Sequence, residues 1–169
     1  VLQTAEGYLR AGGMPSGEMR WLAPVKYLGH QQAVEGGWLQ FDWKHWGGAI
    51  APTNGPTVWL QGSGRALRYH CAKPVGTNWN TYRVRLREDT GWVREDDFPA
   101  LRGELREILS GLTSVEIREP LSAASENCGL DNVELLAPCP DEPPVLRIEL
   151  QSSPRAVVLT WPAEAGCYQ

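Results

Sequence analysis

The stretch WLQFDWKHW, Trp38–Trp46, constrains this chain more than any other. Leu39, Phe41 and Trp43 fall on one parity, while Trp38, Gln40, Asp42 and Lys44 fall on the other. Side chains alternate faces along an extended backbone. A period of two in hydrophobicity therefore predicts a strand with one face on a core and the other toward water. The pattern recurs downstream. In TVWLQG (57–62), Val58 and Leu60 oppose Trp59 and Gln61, and in ALRYHC (66–71), Leu67, Tyr69 and Cys71 oppose Arg68 and His70. In TYRVRLR (81–87), Tyr82, Val84 and Leu86 oppose Arg83, Arg85 and Arg87.

Shorter strands are predicted at GYLRAG (7–12), MRWLAP (19–24), TSVEIRE (113–119) and LDNVELL (130–136). The Gly- and Pro-rich segments between them read as loops, and 26–37 has room for one helical turn. One helix is predicted, PALRGELREIL (99–109), with Pro99 in its first turn and Leu101, Leu105, Ile108 and Leu109 as its apolar stripe. With 18 Gly, 13 Pro and a single helical pattern, the chain is expected to be an all-β domain rich in loops.

Beyond Pro138 the pattern changes. PCPDEPP is a proline-rich hinge, and VLRIELQSSPRAVVLTW reads as two strands around a turn. The expected organisation is a β-sandwich over 1–138, a hinge over 139–144 and the truncated start of a second β-module over 145–169, packed on the first. An isolated hairpin is marginal in water, so the last segment is not expected to be a domain by itself. The chain opens without an initiator Met or a signal peptide, and is expected to be a piece of a longer protein. A net charge of −4 with dispersed arginines excludes nucleic acid as the expected partner. No apolar run is long enough for membrane insertion.

Four cysteines allow three complete pairings. Cys128 and Cys139 flank a strand that rises about 3.3 Å per residue. Their Cα atoms therefore stand some 20 Å or more apart, against the roughly 4.4–6.8 Å of a disulfide. Cys71–Cys128 with Cys139–Cys167 is the pairing we expect, and four reduced thiols are the alternative. The spacing has no CxxC pair for zinc.

RWLAPVKYLGHQQAVEGGWLQFDWK (20–44), TYRVRLRED, Gly91–Trp92, LTSVEIRE and GLDNVELL, in that order, resemble a laminin B domain, also called laminin IV type A. That family shows AP-x-K-[FY]-LG, GG-x-L-x-F-D, L-x-x-[LVI]-x-I-R and GLDNV, and the likeness spans about residues 7–137. It departs at LGHQQ, where the family has LGDQS, so an ion-binding role does not transfer to His30. The tail from Val145 is similar to the opening strands of a fibronectin type III-like module. The resemblance implies a jelly-roll β-sandwich of galactose-binding-like type with one short helix. It also implies a non-catalytic, secreted or cell-surface adhesion or matrix module lying between other domains of its parent chain.

Two sets of residues are candidates for chemistry. Asp131 shares its parity with Val133 and Leu135, so a regular strand turns its carboxylate toward the core side, where an unpaired charge is costly. Many jelly-roll binding modules place an Asp there on one structural calcium ion, which accepts six to eight oxygens. Glu6, Glu18 and carbonyls of the 11–17 loop can complete such a site. Hydrogen bonds from turn amides, or an arginine such as Arg20, are the alternative partners.

The second set is the outward parity: Trp38, Gln40, Asp42, Trp59, Gln61, Arg68, His70, Arg83 and Arg85. If their strands are neighbours, indoles among charged groups make a surface for a glycan or an extracellular protein. A carbohydrate-binding module attached to a secreted enzyme is the alternative function. Ion pairs on a solvated face are the plainer reading, at about 0.2–1 kcal/mol each. The three histidines belong to no catalytic arrangement, so an enzyme is not expected.

Overall fold

The computed structural model describes residues 2–3, 7–12, 17–46, 55–73, 77–121, 127–139, 147–152 and 155–160. Two compact units divide the chain, Val1–Ala137 and Pro138–Gln169. In the first unit the strands are β1 (Leu2–Gln3), β2 (Leu9–Gly12), β3 (Gly17–Leu22), β4 (Trp38–Trp46), β5 (Thr57–Gly62), β6 (Arg65–His70), β7 (Asn80–Arg85) and β8 (Val93–Arg94). After α1 (Glu104–Ser110) come β9 (Leu112–Leu121) and β10 (Asn127–Leu136). In the second unit, β11 (Arg147–Ser152) and β12 (Arg155–Thr160) form an antiparallel hairpin.

The first unit is a β-sandwich of two antiparallel sheets, ordered β1-β2-β10-β4-β7 and β3-β9-β5-β6-β8. The chain changes sheet at β2–β3, β3–β4, β4–β5, β6–β7, β7–β8 and β9–β10, the weaving of a jelly roll. Alternation works as the sequence predicts. Leu39, Phe41 and Trp43 of β4 are fully buried, and Val58, Leu60, Leu67, Val84, Val115 and Ile117 meet them in one core. Each such side chain contributes about 1.5–3 kcal/mol by leaving water. Trp21 of β3, an edge strand, meets Trp43 of β4 edge to face at 4.7 Å, joining the two sheets.

The 25–37 segment forms two 3-10 turns, Val25–Tyr27 and Gln32–Val34, where one helical turn was predicted. It docks on both sheets. Gly29 exchanges backbone hydrogen bonds with Leu112 at the start of β9, while Gly36 and Gly37 exchange them with Leu86 just after β7. His30 Nδ1 lies 3.2 Å from the Ser110 carbonyl oxygen at the end of α1.

The helix is shorter than predicted. Residues 99–103 are not helical, because Ala100 N donates to Trp92 O and Arg94 N donates to Phe98 O, making 98–100 a partner for β8. Leu101 is 55% exposed rather than part of the stripe, whereas Leu105, Ile108 and Leu109 are buried. Gly103, at φ +87°, turns the chain into the helix. Glu104 fixes that turn: one carboxylate oxygen accepts from Leu101 N at 2.6 Å and the other from Arg65 Nη1 at 2.8 Å.

Candidate functional site

Asp131 does not face the core. Leu130 pairs with inward-facing Trp43, Asp131 pairs with Asp42, and Glu134 is the next partner, opposite Gln40. Three steps on β10 therefore match two on β4, which is a β-bulge, and Asn132 within it takes φ +48°. The extra residue reverses the parity, so Leu135 returns inward beside Leu39 while Asp131 stands outward with Asp42. The expected phase with Val133 and Leu135 is corrected on this point, because a period-two count cannot contain a bulge.

The bulge builds a small polar cluster. Asp131 Oδ1 accepts from Asn132 N at 2.8 Å. Asn132 Nδ2 donates to Asp42 Oδ2 at 2.7 Å, and Thr81 Oγ1 donates to Asp42 Oδ1 at 2.6 Å. Like charges directly across a strand pair repel. Here an amide stands between the two carboxylates and offsets part of that repulsion. The same outer face continues along β4 and β7. Arg83 Nε donates to Gln40 Oε1 at 2.6 Å, and the Arg85 guanidinium lies 4.7 Å from the Trp38 ring centre.

At the other end of this face an aromatic cluster covers Gly129 of β10. Tyr8 meets Trp79 edge to face at 5.1 Å and Trp46 at 6.5 Å. Lys44 Nζ is 5.4 Å from the Trp46 ring and 5.9 Å from the Trp79 ring, and the Arg10 guanidinium is 5.4 Å from Trp46. A Cβ on Gly129 would lie 2.9 Å from Trp79 and 3.2 Å from Tyr8, so the rings sit directly on the strand. Sequence reasoning missed Tyr8, Arg10, Trp46 and Trp79 as a group. Its signal was a glycine inside a strand, which marks close approach of another group.

Trp59, Gln61, Arg68 and His70 belong to the second sheet, on β5 and β6. The two sheets share one core, so the single surface expected from the sequence is corrected to two faces on opposite sides of the sandwich. On this second face the Arg118 guanidinium stacks 4.0 Å from the Trp59 ring and Arg68 approaches it at 5.5 Å. Arg118 also pairs with buried Glu116 at 2.7 Å, and Arg68 pairs with Asp97. His70 Nδ1 and Thr57 Oγ1 are 3.2 Å apart.

Glu6 lies outside the described residues. Glu18 is on β3 opposite Pro120, in the sheet that does not contain Asp131, and its side chain lies outside the described residues. Among the described residues no three His, Cys, Asp or Glu side chains converge on a metal position. Cys71, just after β6 of one sheet, and Cys128, on β10 of the other, both lie in the core, and the Cys128 thiol donates to Met19 Sδ at 3.9 Å. Cys139 is exposed, and Cys167 lies outside the described residues. The perturbed titrations lie away from these groups. The Arg87 guanidinium holds the exposed Asp89 carboxyl below its ordinary value, and Glu35 raises Arg106.

The sequence matches the family Laminin B (Domain IV) over residues 20–143, well over half of the chain. The basement membrane-specific heparan sulfate proteoglycan core protein of Mus musculus is 29% identical over 117 residues, covering 67% of this chain and 3% of that protein. The chain thus spans a very small part of that relative's length. Among solved structures, the L4b domain of human laminin alpha-2 aligns with a TM-score of 0.59 at 15% identity, over 70% of this chain and 69% of that one. At that identity the likeness concerns the fold, which it identifies as a β-sandwich.

Proposed function

The chain belongs to the laminin B (domain IV) family, and from that premise we propose that it is a non-catalytic structural module of a larger, secreted or cell-surface protein of the extracellular matrix. The family match carries this reading, and the matched proteoglycan, whose name places it in the basement membrane, supports the address. The polar residues of the sheet faces fit a spacer. Asp42, Gln40, Arg83, Arg68, Glu116 and Arg118 bond to one another or to neighbouring groups rather than standing open around a substrate. No helix among the described residues is long and apolar enough to cross a membrane. The test is fractionation of cells making the tagged parent protein. Recovery in the medium or the detergent-insoluble matrix supports the proposal, and full retention in the cytosol overturns it.

A carbohydrate-binding module attached to a secreted enzyme is the second reading, through Trp38, Gln40, Asp42, Arg83 and Arg85. The stacking of Arg85 on Trp38 is the observation in its favour. Binding on a glycan array that disappears with Trp38→Ala or Asp42→Ala would establish it. Binding indifferent to both variants would remove this face from consideration.

A further inference from the structure

We propose that the cluster of Tyr8, Trp46 and Trp79 with Lys44 and Arg10 is a binding site for an acidic saccharide, in which a uronate sugar ring packs on Trp79 and its carboxylate is held by Lys44 and Arg10. The site lies at the opposite end of the sheet face that carries Trp38 and Asp42, and it is independent of the matrix-module reading. Three features define it. First, the rings are built into the sheet: β2, β4 and β10 are adjacent strands, and bare Gly129 lets Tyr8 and Trp79 close onto the backbone. Second, Trp79 stays 39% exposed although Tyr8 packs against it, so indole surface is left over for a ligand.

Third, among the described residues the two cations have no ion pair with a carboxylate. Arg65, Arg68, Arg87, Arg94, Arg106 and Arg118 each form an ion pair with Asp or Glu. Among the described residues, Arg10 is bonded to the Asn127 amide oxygen and stacked on Trp46, and Lys44 contacts only rings. Two cations against aromatic walls repel a cationic ligand and favour an anion, and a guanidinium matches the geometry of a carboxylate. Sugar C–H faces are apolar and slightly positive, and they suit the electron-rich face of an indole. A nucleic acid offers flat bases and anionic groups as well. Its dense backbone charge, however, meets a chain of net charge −4, with two cations at this site among the described residues.

The test titrates the full 169-residue chain with a short hyaluronan oligosaccharide, whose only charges are uronate carboxylates. A chitin oligosaccharide of equal length and a single-stranded oligonucleotide of equal charge serve as comparators. The expected result is saturable binding of hyaluronan with a change in tryptophan fluorescence, weakened about tenfold by Trp79→Ala and by Lys44→Gln. Gly129→Ala, which displaces the rings but keeps both cations, should weaken it similarly while the melting curve stays cooperative. Lys44→Gln and Arg10→Gln alter exposed or half-exposed ends and carry the test should either ring variant unfold. The proposal is overturned by absence of hyaluronan binding, by equal binding of the neutral oligosaccharide, by equal binding of the oligonucleotide, or by binding that ignores both charge variants.

Discussion

At Asp131 and Asp42 two carboxylates stand directly across a strand pair, and Asn132 holds them there. Its amide bonds Asp42 while its backbone N–H bonds Asp131, which requires a left-handed φ of +48°. Asparagine tolerates that conformation better than most residues, and its short amide reaches across the bulge. Asn132→Ala should lose the bridge and add conformational strain, about 2 kcal/mol together. Asn132→Gly loses the bridge alone and should cost about 1 kcal/mol. Urea melts of the two variants compare these costs, and equal losses would discard the contribution of strain. The same residues separate the hydrogen-bonded account of Asp131 from the calcium account. With the carboxylate satisfied by Asn132, the melting temperature should be the same in EDTA and in calcium. A drop in EDTA that Asp131→Asn abolishes would place a cation there. The letters Asp-Asn were visible in the sequence as a turn-forming pair. The reversal of parity was not, because it depends on one extra residue of β10, Asn132 and Val133 together standing opposite Phe41 between two ladder pairs.

At the scale of elements, alternation revealed β4, β5, β6 and β7 almost to the residue, since each has one face sealed in the core. The helix was legible only in its second half. Local propensity at 99–103 loses to backbone pairing with β8, a two-residue strand too short to announce itself. What seats α1 is Gly62 of β5: a Cβ there would lie 2.4 Å from Ile108 O and 2.6 Å from Gly111 O, at the end of the helix. Gly62→Ala must therefore push α1 off the sheet, at roughly 2–3 kcal/mol. Gly64→Ala is the control. It meets open space but sits at φ +72°, so its cost should be strain alone, about 1 kcal/mol. Chemical denaturation of both variants measures the difference, and a smaller loss at Gly62 would show that α1 is not held by this contact. In the short turn Glu88–Thr90 the pair Arg87–Asp89 makes a pH test. Its hydrogen bonds lower the Asp89 pKa from 3.8, so the stability it gives is present above that value and is lost as pH falls through the lowered one. Asp89→Asn should thus weaken the fold slightly at neutral pH and match the parent in strong acid. A difference that persists in acid would assign the effect to something other than charge. Salt should shrink the neutral-pH effect, because both groups are exposed.

The division of the molecule into two faces is where a single sequence carries least information. Trp38, Asp42, Trp59 and Arg68 share an outward parity, but parity does not say which strands are neighbours. The chain weaves between sheets, so β4 and β5, consecutive in sequence, lie in different layers. The aromatic cluster on Gly129 was hidden for the same reason, since β2, β4 and β10 meet only through pairings across the whole length of the sandwich. This topology also sets what the cysteines can do. Cys71 follows β6 in one sheet and Cys128 lies on β10 in the other, both packed in the shared core. A bridge between them would staple the two layers. In an oxidising compartment such a bond would stabilise the sandwich by about 2–4 kcal/mol. The contact of the Cys128 thiol with Met19 Sδ instead makes Cys128 a core group shielded from reagents. Alkylation with iodoacetamide, without reductant, reads the outcome. Cys128 should resist labelling in the native protein and be labelled fully once guanidinium unfolds it. If it stays unlabelled in denaturant and becomes reactive only after reduction, it is in a disulfide, and a peptide joining Cys128 to Cys71 in a digest made without reductant would show the two sheets covalently joined.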